Sequence, residues 1–322
     1  MTSAIDPKKE KIFVAGGTGF LGKRVLKRLK KDGYNCVTTS FSMGVDFRDK
    51  TQTEKFFEKE KPTIVINCAA YVGGIKFGME HEGEIFYNNT LINTNLIESA
   101  RKYKIKRFIN PISNCSYPDV ISKDFKEDEW WDGPLHKSVL VYGFAKKATW
   151  VQSYAYHNQY GMDFINFLVP NMYGPDDHFN EVRSHALGAL IMKIVEAKEG
   201  NAPEVVIWGT GKPVREWLYV DDCVESFIRA LDCAPSVDPI NLGQGIGISI
   251  YNMAVLIKNI VGYQGKLILD PTKPDGAPYK VMNVKKLKEI FDWTPQTKLE
   301  DGISQTIQWY YDNVVKIQKE DK

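Results

Sequence analysis

A tyrosine and a lysine four residues apart are the first side chains in this sequence whose types and spacing suggest catalysis. In "VYGFAKK" they are Tyr142 and Lys146, and on a helix this spacing places both on one face. An ammonium nearby favours the charged form of a phenol, so the lysine should lower the tyrosine pKa from about 10. Ser113 ends a predicted strand, where a parallel sheet presents groups to a ligand. Together these residues could bind a carbonyl oxygen while a nicotinamide exchanges hydride with its carbon.

A glycine-rich loop near the start of the chain predicts the source of that hydride. In "AGGTGFLG", Gly16, Gly19 and Gly22 recur every three residues between a strand and a helix. Such a loop makes a tight turn, lets the backbone approach a pyrophosphate and permits close helix packing, while the helix N-terminus attracts the anion. The sequence therefore predicts a dinucleotide site. Its candidate contacts are Gly16, Thr18, Gly19, Phe20, Leu21, Gly22 and Ala69, together with Tyr142 and Lys146.

The end of the second predicted strand favours NADP(H) over NAD(H). NAD sites usually place a carboxylate there to hold the ribose hydroxyls, but this chain has "TTSFS". We expect Thr39 and Ser40 beside the 2′-phosphate. No arginine stands next to them in sequence, so NAD(H) remains an alternative. In "GVDFRD", Asp46 and Phe47 could contact the adenine or could form a helix-capping turn.

The elements that carry these residues alternate between strands and helices. Apolar runs such as "KIFVA", "PTIVIN" and "DFINFLV" are separated by helical patterns, which predicts an α/β fold with a Rossmann-type doubly wound parallel sheet. Long loops follow residue 172 and predict a smaller, interleaved substrate-binding α/β domain. We expect a dinucleotide-binding domain over 1–172, with returning segments near 215–245, and a domain mainly for the nucleotide sugar over 173–322.

Composition narrows the classes of partner. A net charge of +2 over 322 residues gives no basic field for nucleic acid. No apolar run approaches the roughly 20 residues of a membrane span, so no membrane partner is expected. The five cysteines show no spacing typical of a zinc site or a disulfide framework. These observations predict a cytoplasmic protein that binds no metal.

With "YGFAK", the glycine pattern resembles the extended short-chain dehydrogenase/reductase family of nucleotide-sugar enzymes. Further motifs extend the resemblance from the first strand to near the C-terminus and are similar to those of the GDP-L-fucose synthase family. They are "YVGGI", "SNCSYP", "NMYGPDDHF", "SHALGAL", "PEVVIWGTGKPVREWLYVDD" and "KPDGAPYK". The resemblance implies NADPH-dependent epimerisation at C3 and C5, and reduction at C4, of a GDP-4-keto-6-deoxy sugar.

The resemblance also implies roles for particular residues. Inverting a carbon next to a ketone requires an acid and a base on opposite faces of the sugar, and the family's pair falls on Cys115 and His185. Without the family, a cysteine near a strand end would more often be a small buried hydrophobe. The family further implies a homodimer formed through a four-helix bundle. The implied substrate-binding residues are Asn171, Lys193, Trp208, Arg215 and Lys280.

Several departures from the family pattern keep alternatives open. Lys193 and Tyr279 stand where arginines are usual, and Asn114 replaces a small hydroxyl residue. A GDP-4-keto-heptose or a GDP-4-keto-3,6-dideoxy sugar is therefore an alternative substrate. Other readings are a 4-reductase without epimerisation, an epimerase with tightly held NAD, and a non-catalytic redox sensor. The intact Ser113, Tyr142 and Lys146 argue against the sensor, which would need no proton donor.

Overall fold

The computed structural model describes residues 5–119, 123–179, 186–273 and 275–316. Twelve strands and ten α-helices alternate along this part of the chain. In chain order the strands are β1 (Lys11–Ala15), β2 (Asn35–Thr39), β3 (Ile64–Asn67), β4 (Arg107–Ser113), β5 (Phe164–Val169), β6 (Asn171–Tyr173), β7 (Glu204–Trp208), β8 (Val214–Tyr219), β9 (Ser236–Asn241), β10 (Gly247–Ser249), β11 (Lys266–Asp270) and β12 (Tyr279–Lys280). The helices are α1 (Phe20–Lys31), α2 (Lys50–Glu60), α3 (Ile75–Glu80), α4 (Glu82–Lys102), α5 (Leu140–Tyr160), α6 (Ala186–Glu199), α7 (Val220–Arg229), α8 (Ile250–Val261), α9 (Lys285–Phe291) and α10 (Leu299–Tyr310).

The main sheet has six parallel strands in the order β2-β1-β3-β4-β5-β9. Its two faces are both covered, so successive side chains of β1 enter different cores. Ile12 and Val14 pack in the core that includes α1 and α7, whereas Phe13 packs in the core that includes α2 and α4. Burial on both faces explains the nearly continuous apolar runs of these strands. The predicted α/β fold with a doubly wound parallel sheet is confirmed.

The second half of the chain builds a separate apolar core next to this sheet. Helices α6, α8 and α10 pack there with β7 and β8. Strand β8 pairs with β10, β12 and β6, and β7 pairs with β11. The chain also returns once to the main sheet, where β9 pairs with β5. Arg215 on β8 and Lys280 on β12, which the sequence predicts to bind substrate, lie beside the carboxyl end of the main sheet.

Neither a membrane-spanning helix nor a metal cluster occurs in the described ranges. No helix there is long and apolar enough to cross a bilayer. No group of three or more histidine, cysteine, aspartate or glutamate side chains there could hold a metal ion. All five cysteines are free thiols.

Candidate active site

A short turn at the carboxyl end of β4 carries Ser113 and Cys115. Strand β4 ends at Ser113, and a 3-10 turn over Asn114–Ser116 follows directly. The Cys115 backbone N–H donates a hydrogen bond to Ser113 Oγ at 3.1 Å. Both side chains are half-buried, so they can meet a ligand while their backbone is held. The thiol is therefore displayed at the sheet edge, where ligands of such folds bind. We call this segment the Ser113–Ser116 turn.

Helix α5 presents Tyr142 and Lys146 to the same edge of the sheet. The Lys146 Nζ lies 5.7 Å from the centre of the Tyr142 ring. It also donates a hydrogen bond to the Pro111 carbonyl oxygen at 3.3 Å, which ties the helix to β4. The helix spacing thus brings both side chains together beside the Ser113–Ser116 turn.

Burial decides the proton affinities of this pair, and one prediction from the sequence is wrong. Burial raises the Tyr142 pKa, and the nearby Cys115 thiol raises it further. The same desolvation lowers the pKa of Lys146 to about 8. The expected lowering of the tyrosine pKa by Lys146 does not occur, because loss of solvent outweighs the ammonium. Tyr142 therefore keeps its proton at neutral pH and is suited to donate it.

A half-buried arginine and a buried lysine lie within electrostatic reach of the Cys115 thiol. Arg215 on β8 and Lys280 on β12 are partners across neighbouring strands. Burial lowers the pKa of both, and for both the Cys115 thiol acts in the opposite direction. The Lys280 Nζ is buried without a hydrogen-bond partner among the described residues. An unpaired buried ammonium is unfavourable, so this position is suited to an anionic ligand such as a diphosphate.

Trp208, the tryptophan predicted to bind the nucleotide, has two lysine ammonium groups near its ring. Trp208 ends β7 and is 49% exposed, so part of its indole is accessible to a planar base. The Nζ of Lys193 lies 5.2 Å from the centre of a Trp208 ring, and that of Lys273 lies 5.6 Å away. The sequence analysis missed Lys273. This residue follows β11, and it comes near Trp208 only because β11 (266–270) pairs with β7 (204–208).

Asp275 contacts the turn after β7 and lies within electrostatic reach of Arg215. It accepts hydrogen bonds from the Thr210 backbone N–H and hydroxyl, each at 2.7 Å, and it acts electrostatically on Arg215. Asn171 on β6 is half-buried and pairs with Trp217, two residues along β8 from Arg215. Asn171, Arg215 and Lys280 therefore lie on paired strands of one sheet, whereas Trp208 lies on β7 of another sheet and Lys193 on helix α6.

The glycine loop has the geometry that a dinucleotide requires. Gly16 has φ +78°, and a Cβ there would come within 2.9 Å of the Ala69 Cα. A Cβ on Gly22 would lie 2.2 Å from the Gly16 carbonyl oxygen. Gly19 caps α1 without a side-chain hydrogen bond, which leaves the helix N-terminus open to a phosphate. Phe20 and Leu21 begin α1; Leu21 is buried in the core, and Phe20 is partly buried against it.

Three hydroxyl groups meet where β2 ends. Thr18 Oγ1 lies 2.9 Å from Ser40 Oγ and 3.0 Å from Ser42 Oγ, and the two serine oxygens are 3.0 Å apart. The sequence analysis expected Thr39 and Ser40 here, and only Ser40 joins the triangle; both residues are buried. Ser42 was missed because it comes after the strand, in a 3-10 turn over residues 41–43. This hydroxyl triangle is a donor set that suits a phosphate.

In the segment "GVDFRD", Phe47 is not placed to contact the adenine and Asp46 does not cap a helix. Phe47 is 5% exposed and packs in the core, so its ring cannot stack on a base. Asp46 does not cap α2, because Asp49 accepts the N-terminal hydrogen bonds of that helix. Asp46 instead pairs with Arg48, whose guanidinium carbon lies 5.3 Å from the centre of the Phe41 ring. An arginine therefore does stand near the end of β2, although the neighbouring sequence positions do not reveal it.

His185 lies outside the described residues, and its role as the partner of Cys115 stays a prediction. The other predicted catalytic residues are Ser113, Cys115, Tyr142 and Lys146. Strand β4 and helix α5 bring these four to one edge of the sheet. Arg215 and Lys280, which are strand partners, lie within electrostatic reach of Cys115. The site thus combines a proton donor, a thiol and a cationic anion site.

Comparison with known proteins agrees with this arrangement. Residues 12–243 match the model of the NAD dependent epimerase/dehydratase family. "Putative GDP-L-fucose synthase 2" of Arabidopsis thaliana is 38% identical over 309 residues, which cover 96% of this chain and 94% of that protein.

Two solved structures are similar over nearly the whole chain. A GDP-6-OMe-4-keto-L-xylo-heptose reductase from C. jejuni has a TM-score of 0.91 at 28% identity, covering 96% of this chain and 99% of that one. A GDP-L-fucose synthetase from Naegleria fowleri bound to NADP has a TM-score of 0.86 at 27% identity, covering 96% and 98%. The chain therefore belongs to the NAD dependent epimerase/dehydratase family, as a relative of its GDP-L-fucose synthases.

Proposed function

We propose that this protein is an NADPH-dependent enzyme that epimerises a GDP-4-keto-6-deoxy sugar at C3 and C5 and reduces it at C4. The observation that carries the proposal is the position of the Cys115 thiol. It lies on a turn that contacts α5 next to Tyr142, and within electrostatic reach of Tyr142, Arg215 and Lys280. An acid and base group is thereby placed near both a carbonyl-binding phenol and a diphosphate site. The 38% identity to a GDP-L-fucose synthase supports the same substrate class.

Binding uses the cations and the tryptophan. Arg215 and Lys280 bind the diphosphate, which gives the buried Lys280 ammonium the partner it lacks. Trp208 stacks on the guanine, and Lys193 and Asn171 complete the contacts to the nucleotide and the sugar. With the diphosphate fixed, the keto sugar reaches the Ser113–Ser116 turn. Its C4 oxygen then accepts hydrogen bonds from Ser113 and Tyr142.

Epimerisation comes first. A carbon next to the C4 ketone loses its proton to one member of the Cys115 and His185 pair, and the resulting enolate oxygen is held by Tyr142 and Ser113. The other member returns a proton to the opposite face, which inverts the centre. Because Tyr142 stays protonated, it stabilises the enolate by a hydrogen bond.

Reduction follows in the same cleft. NADPH, when bound at the glycine loop, supplies the hydride for C4. Tyr142 gives its proton to the C4 oxygen, and Lys146 holds the phenol in place and binds the nicotinamide ribose. The raised pKa keeps Tyr142 protonated at neutral pH, so the phenol is in the form that reduction of a ketone requires of its proton donor.

The deciding experiment is incubation with GDP-4-keto-6-deoxymannose and NADPH in D2O. We expect NADPH oxidation, deuterium at C3 and C5, and a galacto product, read by NMR. Oxidation without deuterium would show a 4-reductase. Turnover only with a GDP-4-keto-heptose would support the second candidate, which the TM-score of 0.91 to the heptose reductase favours. No oxidation with any of these sugars would contradict the proposal.

The hydroxyl triangle gives a prediction for cofactor choice. The variant with Ser40→Ala and Ser42→Ala loses two donors to the 2′-phosphate, so NADPH should bind about 10- to 100-fold more weakly, while NADH binding stays unchanged. Cofactor fluorescence titration measures both dissociation constants without turnover. Ser304→Ala on α10 serves as the control, because its hydroxyl bonds only to the Glu300 carbonyl oxygen in its own helix. If NADH and NADPH binding weaken equally, the hydroxyl triangle does not bind the 2′-phosphate.

Gly143 gives a second prediction, because it lets α5 contact the Ser113–Ser116 turn. A Cβ on Gly143 would lie 2.7 Å from the Cys115 carbonyl oxygen and 2.5 Å from Leu135 Cδ2. Gly143→Ala should therefore shift Cys115 relative to Tyr142 and lower kcat/KM about 10- to 100-fold. Gly83→Ala is the control, because no atom lies within 4 Å of its added Cβ. Full activity of Gly143→Ala would show that the turn tolerates this displacement.

A homodimer through a four-helix bundle is also part of our proposal. Helices α4 and α5 expose large apolar side chains, which would be covered by the same helices of a second copy. They are Phe86, Tyr87, Phe144, Val151 and Tyr154. We expect the mass of a dimer in light scattering, and Phe144→Glu with Val151→Glu should yield a monomer. A wild-type monomer at all concentrations would refute the assembly.

Two coarser proposals complete the description. We propose the domain division of 1–172 and 173–322, with a return near 215–245, which is supported by the separate apolar core around α6, α8 and α10 and by the position of β9. We also propose a cytoplasmic location, which is supported by the five free thiols.

A further inference from the structure

Three hydrogen-bonded residues in and behind the Ser113–Ser116 turn have no part in the proposed chemistry. They are Ser116, the last residue of the turn, with Trp130 and Lys147, and we call them the buried relay. Ser116 and Trp130 are each 0% exposed, and Lys147 is 3% exposed. None of them is needed to explain binding of a dinucleotide or a sugar. Their hydrogen bonds lead from the rear of α5 to the segment that carries Cys115.

The relay ends on the Ser113 backbone. Trp130 Nε1–H donates to Ser116 Oγ at 2.8 Å, and the Ser116 hydroxyl donates to the Ser113 carbonyl oxygen at 2.6 Å. Cys115 lies between these two serines, and its own N–H donates to Ser113 Oγ. The turn is therefore closed by side-chain hydrogen bonds on both sides of the thiol. Because Ser116 both accepts and donates, its hydroxyl has one preferred orientation.

Lys147 holds the other end of the relay. Its ammonium donates to the Trp130 carbonyl oxygen and lies 4.3 Å from the centre of the Trp131 ring. The preceding residue, Lys146, donates to the Pro111 carbonyl oxygen on β4. Two consecutive lysines of α5 thus fix the chain before the turn and the tryptophan behind it. The helix that presents Tyr142 is thereby coupled to the segment that presents Cys115.

We propose that the buried relay positions the Cys115 thiol for proton transfer to and from the sugar. Its members are positioning residues, because none of them touches the reacting atoms. Ser113 is fixed independently, since it pairs with Val169 at the end of the main sheet. Cys115 has no strand partner, so it depends on the turn. Loss of the relay should therefore impair proton exchange more than hydride transfer. The inference rests on the proposed function and concerns its epimerisation step.

The test separates position from stability. Ser116→Ala removes the bond to Ser113 and leaves the buried Trp130 N–H unpaired, which should also destabilise the fold. Trp130→Phe combined with Ser116→Ala removes the unpaired N–H, so thermal stability should recover to that of Trp130→Phe alone. Exchange should stay low in the double variant, because the bond to Ser113 is still missing. Trp131→Phe is the matched control, since this neighbouring ring makes no hydrogen bond to the turn.

Three readouts are needed. Deuterium exchange is measured with NADP⁺ in place of NADPH, so that no hydride is transferred. Hydride transfer is measured as NADPH oxidation, with keto sugar that the wild-type enzyme has first equilibrated and that is then freed of protein. Alkylation of Cys115 by iodoacetamide, followed by peptide mass spectrometry, reports the turn in the ligand-free protein.

We expect exchange to fall about 10- to 100-fold in Ser116→Ala and in the double variant, with hydride transfer changed less than about fivefold. Alkylation of Cys115 should quicken at least threefold as the turn opens, and Trp131→Phe should match wild type throughout. Exchange that recovers together with stability in the double variant would overturn the inference. If wild type shows no exchange, the proposed function fails, and an unchanged alkylation rate in Ser116→Ala would then independently refute the positioning role.

Discussion

Cys115→Ser should abolish most of the deuterium incorporation at C3 and C5 of the keto sugar, by about 10²- to 10⁴-fold. A thiol gives up its proton far more readily than a hydroxyl of similar size, so a serine at this position supplies almost no anionic base at neutral pH. The backbone hydrogen bond from residue 115 to Ser113 does not involve the thiol, so the turn should persist. NADPH oxidation should continue within about tenfold of wild type, because Tyr142 and Ser113 are untouched. The product would then carry no solvent label.

The control for this experiment is Cys233→Ser. Its thiol donates to the Ala230 carbonyl oxygen at 3.7 Å, a bond that a serine can also make. The Cys233 carbonyl oxygen is bonded to Arg107 at the start of β4, the end of the strand away from Ser113. Exchange should therefore be unchanged in Cys233→Ser. Normal labelling by Cys115→Ser would show that the thiol is not a member of the proton-transferring pair.

Tyr142→Phe should lower NADPH oxidation by about 10²- to 10⁴-fold, because the C4 oxygen loses its proton donor. The phenyl ring keeps its packing on α5, so stability and cofactor binding should change little. Deuterium exchange should also fall, since the enolate oxygen would keep only the hydrogen bond from Ser113. Stopped-flow absorbance of NADPH and NMR of the recovered sugar measure the two steps.

Tyr156→Phe on the same helix is the control for loss of a phenol hydroxyl. Its hydroxyl donates to Glu98 Oε2 at 2.8 Å, on the side of α5 that packs against α4. We expect full activity in this variant. A Tyr142→Phe enzyme that reduces the ketone at the wild-type rate would require another proton donor in the cleft.

The fold and the cofactor loop could be predicted from local sequence because each depends on short spacing. The predicted strand "RFINPIS" coincides with β4 at both ends, and Ser113 lies at its carboxyl end as expected. The glycine triplet requires no distant residue to be recognised, although its closeness to Ala69 is seen only in the structure. NADPH as cofactor and a GDP sugar as substrate class agree with the relatives.

Other expectations failed where burial or distant strand pairing decides the outcome. The spacing of Tyr142 and Lys146 predicted a lowered phenol pKa, but desolvation reverses the direction. Phe47 is an aromatic residue at a sequence position where an adenine contact was expected, but its ring is buried in the core. Arg48 contacts the Phe41 ring across a loop. The two residues are seven positions apart, so the sequence around either one does not reveal the contact.

The sequence by itself determined the strand and helix order up to about residue 172, the glycine loop and the placement of Tyr142 and Lys146 on one helical face. These features follow from residue periodicity over fewer than about ten positions. Only the tertiary structure decided that Arg215 and Lys280 are strand partners facing Cys115, and that Trp130 holds the turn through Ser116. Both contacts join residues far apart in the chain. Sheet pairing and the desolvation of buried polar groups fix them, and neither is encoded in local spacing.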